Sequence, residues 1–234
     1  MDKLYYDAFI SYRHTEMDSF VAQKMHKMLE RYRIPKKIQQ KSGKKKITRI
    51  FRDQEELPLS ADLSENITTA LQHSEFLILI CSPEAMESRW VRTEIETFLQ
   101  THSKDRVLTV LVKGEPEESF PEILCYRDKV VAENGVEKIV QVPIEPLAAD
   151  VRGASKAEVE KKLKNEVLRI LAPMLSCSYD ELRQRHREYK LKCNIGIVSV
   201  ILCLAIAFSV YAMRQAAAIE EQYQNSRKNQ ARYL

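Results

Sequence analysis

At 234 residues, with 44% hydrophobic and 30% charged content, the chain suits one folded α/β core plus an appendage. A net charge of +4 is too small to argue for nucleic acid as the main partner. Cys81, Cys125, Cys177, Cys193 and Cys203 are scattered without CxxC spacing, which disfavours a secreted disulfide scaffold and fits a reducing, cytosolic setting.

The chain opens Met-Asp-Lys and passes directly into a strand-like run, without the apolar stretch and cleavage site of a signal peptide, so export by that route is not expected. Residues 5–11 (YYDAFIS) suit a buried strand, and Val21, Met25, Met28, Leu29 and Tyr32 then recur at helical spacing. Lys36, Lys37, Lys41, Lys44, Lys45 and Lys46 follow. That cluster is expected to be a mobile solvated loop, with attraction to anionic lipid as the second reading. A short strand at 47–51 and a helix marked by Ile67, Ala70 and Leu71 complete a second β-α unit.

Residues 75–81 (EFLILIC) are almost wholly apolar, as in the centre of a parallel sheet covered on both faces, and Ser82-Pro83 supplies a helix cap and first-turn proline. Val91, Ile95, Phe98 and Leu99 stripe the next helix, and 107–112 (VLTVLV) is a fourth strand. Within 113–150 only 139–142 reads as a further strand. Ser155 with Glu158 forms a capping box for a helix whose Val159, Leu163, Val167 and Leu171 face the domain before Pro173 ends it. The alternation predicts a flavodoxin-like, doubly wound parallel sheet.

A second box, Ser178 with Glu181, starts a basic helix that can run unbroken into 193–213 (CNIGIVSVILCLAIAFSVYAM). That run carries no charge and matches the ~30 Å hydrocarbon core. Arg183, Arg185, Arg187, Lys190 and Lys192 precede it, whereas Arg214 stands alone beyond it, so the positive-inside bias puts residues 1–192 in the cytoplasm. Residues 214–234 look helical but end without a glycine or proline stop, as a piece of a longer protein would. The domains expected are therefore 1–172, a juxtamembrane helix 173–192, a single-pass span 193–213 and a polar segment 214–234.

With five glycines, and neither GxGxxG nor GxxxxGK[ST], a standard dinucleotide-binding dehydrogenase or P-loop NTPase is disfavoured. A phospho-receiver would need an aspartate where the third strand ends Ile80-Cys81-Ser82, and no histidine or cysteine spacing suggests zinc. Ligands of open α/β sheets bind beyond the strands' carboxyl ends, which points to Ser11–His14, the segment 52–59, and Ser82 onward.

YDAFISYRH at 6–14, FRDQEELP at 51–58 and SPEAMESRWVRTEI at 82–95 resemble, in order, the three boxes of bacterial TIR (Toll/interleukin-1 receptor) domains, a resemblance spanning about 5–172. It implies a signalling protein of the kind found in innate immunity, acting either as an enzyme that hydrolyses or cyclises NAD+ with release of nicotinamide, or as a non-enzymatic scaffold. Partners would be other TIR domains, NAD+ as substrate with no cofactor or metal, and the membrane, but no nucleic acid. Glu94 matches the catalytic glutamate of the Trp-x-x-x-Glu helix. Nicotinamide leaves as a neutral ring from a cationic nitrogen, so one carboxylate that stabilises an oxocarbenium-like ribosyl centre is sufficient.

The resemblance also assigns substrate contacts to Arg13, His14, Phe51, Asp53, Pro58, Ser82 and Trp90. Trp90, four residues before Glu94, is expected to share its helix face, with Val91, Ile95 and Phe98 pointing elsewhere; ordinary packing is its alternative role. Arg13 could instead pair with Asp53, and His14 could be a solvated loop residue. The segment 52–61 corresponds to the family's BB loop, where Leu59-Ser60-Ala61 replaces the glycine many members carry after Pro58.

Overall fold

The computed structural model describes residues 6–52, 63–133, 136–144 and 146–230. The chain divides into two compact units, Met1–Arg183 and Gln184–Leu234.

The first unit is built on five parallel strands, β1 (Ala8–Ser11), β2 (Ile50–Arg52), β3 (Leu77–Cys81), β4 (Val107–Leu111) and, after the hairpin β5 (Tyr126–Glu133) and β6 (Val136–Pro143), β7 (Ala148–Asp150). Their order is β2-β1-β3-β4-β7, so the chain moves to one side of β1 and then to the other, creating a switch point between β1 and β3. Helices α1 (Glu16–Glu30), α2 (Lys36–Ser42), α3 (Leu63–Gln72), α4 (Pro83–Met86), α5 (Arg89–Leu99), α6 (Pro116–Ser119) and α7 (Lys156–Met174) surround it, and α8 (Tyr179–Gln230) starts in this unit.

Strand alternation decides which side chains meet which helices. Ala8, Ile10, Ile78, Ile80 and Val110 face a core shared with Val21, Met25 and Leu29 of α1 and Val159, Leu163 and Leu171 of α7. Phe9, Leu77, Leu79, Cys81 and Leu111 face the other core, with Leu71 of α3 and Val91, Ile95 and Phe98 of α5. Because β3 is covered on both faces, all five of its residues are buried, the expected cause of its unbroken apolar run.

Three expectations need correction. The strand expected at 139–142 is present within β6, but it is not the only further strand: it pairs antiparallel with β5 outside the main sheet, whose fifth strand is β7. Three residues, Ala148-Ala149-Asp150, are too short to show a period. Pro173 does not end α7 but lies in its last turn, since the helix reaches Met174. The lysine-rich stretch is not a loop throughout, because α2 forms within it, with Ile38 buried and Gly43 closing the helix at φ +73°.

In the second unit, Asn194–Gln215 of α8 is a helical stretch long and apolar enough to cross a membrane.

Candidate functional site

Ser11 ends β1 with the parity of Phe9, so its side chain projects from the α5 face of the sheet at the switch point. α5 begins there because Ser88 caps it, accepting the Val91 N–H at 3.5 Å. Its buried positions are Val91, Glu94, Ile95 and Phe98, the i, i+3, i+4, i+7 stripe of a helix packed on a sheet. Glu94 is thus a carboxylate in an apolar stripe, only 7% exposed, and the Ser11 hydroxyl donates to its Oε2 at 2.5 Å. A buried carboxylate requires such a donor, since leaving one unsatisfied costs several kcal/mol.

A second buried carboxylate occupies the opposite face of the same edge. Asp18 lies in the first turn of α1, whose cap Thr15 accepts the Asp18 N–H, and it is 2% exposed. Ser82, one residue beyond β3, donates to Asp18 Oδ2 at 2.8 Å and accepts the Ala85 N–H as the cap of α4. Burial pushes the Asp18 carboxyl above its ordinary value, with the hydrogen bonds from Ser82 and Thr15 opposing the rise. Neither the Ser11 donor to Glu94 nor the buried Asp18 carboxylate was expected from the sequence.

The predicted contacts are distributed unequally around this edge. Arg13 is exposed and reaches Ser88 Oγ at 3.4 Å, so it extends along the amino end of α5 toward the Glu94 side. His14 is exposed, its ring stacked on that of Tyr12 at 4.9 Å between centroids. Phe51 is a core residue rather than a lining one, 3% exposed, stacked on Phe9 at 5.0 Å and edge-on to Tyr6 at 5.3 Å. Ser82 is likewise committed to Asp18 and to its helix cap.

Trp90 is 62% exposed and so does not share the surroundings of Glu94. At 100° per residue Glu94 is about as close to Phe98 as to Trp90 around the helix, and the packed stripe claims it. Asp53 and Pro58, with the rest of 53–61, lie outside the described residues, as does any Arg13–Asp53 pairing.

A half-open cavity of about 460 Å³ lies along α4 and α5, lined by Met86, Val91, Arg92, Ile95, Phe120 and Ile123 among others, without Glu94. Among the described residues, no cluster of three or more His, Cys, Asp or Glu side chains could hold a metal. Cys81 is fully buried, and that burial pushes its thiol up, away from the thiolate form a nucleophile needs.

Residues 9–117 match the family model described as the TIR-like domain of the Thoeris protein ThsB. The NAD(+) hydrolase ApTIR of Actinoplanes sp. is 32% identical over 230 residues, an alignment that takes in 90% of this chain and 29% of the relative. The chain therefore spans less than a third of that protein's length. A crystal structure of the flavodoxin-like domain of a Synechococcus sp. protein aligns at 12% identity and a TM-score of 0.34, covering 70% of this chain and 98% of that one.

Proposed function

From the match of residues 9–117 to the TIR-like family model, we propose that the chain is a membrane-anchored TIR-domain enzyme that cleaves NAD+ with release of nicotinamide, using Glu94. The observation that carries this reading is a carboxylate buried in the apolar stripe of α5 at the carboxyl edge of the sheet, beside the β1–β3 switch point and hydrogen-bonded by Ser11. The NAD+ hydrolase named for the Actinoplanes relative supports the substrate.

In the reaction, the bond between ribose C1′ and the nicotinamide nitrogen breaks, and its electron pair leaves on the neutral ring. The ribosyl centre gains positive charge, which the Glu94 carboxylate stabilises more strongly than it does the ground state. Water, or a nucleophile within the substrate in a cyclising reaction, then bonds to C1′ and gives up its proton. Arg13, exposed at the amino end of α5, is a cation placed to meet the diphosphate.

At 7% exposure and with Ser11 on one oxygen, Glu94 is not presented to a substrate in this arrangement. Turnover therefore requires the surroundings of Glu94 to open, and assembly with other TIR domains is the event proposed to open them. The same burial favours the second reading, a non-enzymatic scaffold that recruits TIR domains.

The apolar stretch Asn194–Gln215 is proposed to span the membrane. The basic run Arg183 to Lys192 supports a cytoplasmic location for the TIR domain.

The deciding measurement is nicotinamide release by the full chain, clustered in vesicles and supplied with NAD+, with Glu94→Ala and Glu94→Gln in parallel. Release that falls to background in both variants is the expected result. No release from the parent, or equal release from all three, excludes catalysis by Glu94 and leaves the scaffold reading.

A further inference from the structure

The stretch 31–46 contains eight basic residues and no acidic one. Structure divides them. Lys44 is half-buried and committed to Asp7 at 2.9 Å and Glu75 at 2.6 Å, and Lys41 pairs with Glu181 at 2.8 Å. Arg31, Arg33, Lys36, Lys37, Lys45 and Lys46 are exposed, with no ion pair among the described residues.

These six charges are not on a loose chain. Ile34, Ile38 and Ile47 are each at most 4% exposed and pin the stretch to the α1 and α7 core at its start, middle and end. α2 holds the first lysines, and the double ion pair of Lys44 holds the turn beyond Gly43. A fixed array of uncompensated cations loses little conformational entropy on meeting an anionic surface, unlike the same residues on a mobile loop.

Its location in the chain selects the partner. Lys41 bonds to Glu181 in the first turn of α8, and Glu181 and Asn194 are thirteen positions apart on that helix, a rise of about 20 Å. That short connection tethers Glu181, and with it its Lys41 partner, within about 20 Å of the start of any span formed by Asn194–Gln215. Five further basic residues, Arg183 to Lys192, lie along it.

We propose that the 31–46 platform is a second membrane contact, binding the headgroups of anionic phospholipids; this rests on the membrane-anchored reading above. Each cation near such a surface adds about 1 kcal/mol, within a reach of roughly 10 Å at 0.1 M salt. The anchor removes the translational cost, so the contact acts on a chain already held at high effective concentration. Its consequence is orientation of the TIR domain relative to the bilayer, dependent on lipid composition.

The test uses the full chain in vesicles of phosphatidylcholine alone or in equal mixture with phosphatidylglycerol, each doped with a headgroup-photoactivatable lipid of the same type, with crosslinked peptides mapped. Peptides from 31–46 are expected to crosslink in the anionic vesicles, with yield falling about tenfold in the quadruple variant Lys36→Gln, Lys37→Gln, Lys45→Gln and Lys46→Gln, and again in high salt. Equal yields in parent and variant, or in the two lipids, overturn the proposal. Retardation of duplex DNA that is lost in the variant while lipid crosslinks persist also overturns it and assigns the surface to nucleic acid. Alkaline carbonate extraction reports the anchor separately: a retained chain without crosslinks in 31–46 refutes this contact alone, whereas a released chain refutes the anchored reading and the tethering argument with it.

Discussion

Glu94 and Asp18 are both buried carboxylates at the carboxyl edge of one sheet, each hydrogen-bonded by a serine at or just beyond a strand end, and they differ in the helix position from which they reach it. Asp18 is in a first turn, where a negative charge favours the helix dipole and a capping threonine is one turn away; its link to Ser82 ties α1 to the start of α4. Glu94 is in the middle of α5, where an apolar residue would pack as well, and Ser11 reaches it from across the sheet. A carboxylate that improves its own helix has a structural explanation. One that interrupts an apolar stripe does not, which supports the catalytic role proposed for Glu94.

The largest effect that could break this comparison is on turnover. Glu94→Gln should reduce nicotinamide release about 10²–10³-fold, as for removal of one transition-state charge partner. Ser11→Ala should reduce it about 10–100-fold, mainly in kcat, since one charged hydrogen bond is worth about 1.5–3 kcal/mol. If Asp18→Asn reduces turnover as severely as Glu94→Gln while the chain remains folded, the two carboxylates are not functionally distinct.

Stability should give the converse ranking. Asp18→Ala leaves the Ser82 hydroxyl without its acceptor and should lower the urea-derived stability by about 1–3 kcal/mol. Asp18→Asn retains a polar group of the same size and should cost less.

pH separates Asp18 from Asp7. The Asp18 carboxyl titrates above 3.8 in the folded chain, so folding favours its protonated form and its ionisation reduces stability as pH rises from 3.8 through the folded value. For Asp7, burial raises the carboxyl but is outweighed by the Thr48 N–H, Lys44 and the Arg49 N–H, which leave it lowered. Asp7 therefore contributes stability above its ordinary value, lost as pH falls through the folded one. Across about pH 3–7, Asp18→Asn should steepen the gain in urea midpoint with pH, and Asp7→Asn should flatten it. The reverse pattern would refute both assignments.

The smallest expected effect is at Trp90. Exposed and without a packed partner in either core, it should tolerate Trp90→Ala within about 0.5 kcal/mol. A large loss of NAD+ cleavage in that variant at unchanged stability would return Trp90 to the substrate site.

The parallel sheet was legible because burial on two faces imposes runs such as Leu77–Cys81, and the caps Ser82, Ser155 and Ser178 were legible because orphan N–H groups require acceptors within a few residues. The apolar stretch beginning near 193 was similarly readable, because its length and lack of charge are properties of the local sequence. β7 was not, since three residues held only by pairing with β4 leave no period to detect.

The site divided along the same line. Sequence by itself determined that Glu94 occupies the family's motif, and its stripe with Val91, Ile95 and Phe98 could have been recognised from i, i+3, i+4 spacing. That Ser11 would donate to it, that Ser82 would be committed to Asp18 and Phe51 to a core, and that α2 would carry its lysines on a fixed platform were decided only by tertiary structure. The physical reason is range: caps, periods and apolar runs are local, whereas Ser11 and Glu94 are 83 residues apart and meet only when strand parity and helix packing bring one face of β1 against α5.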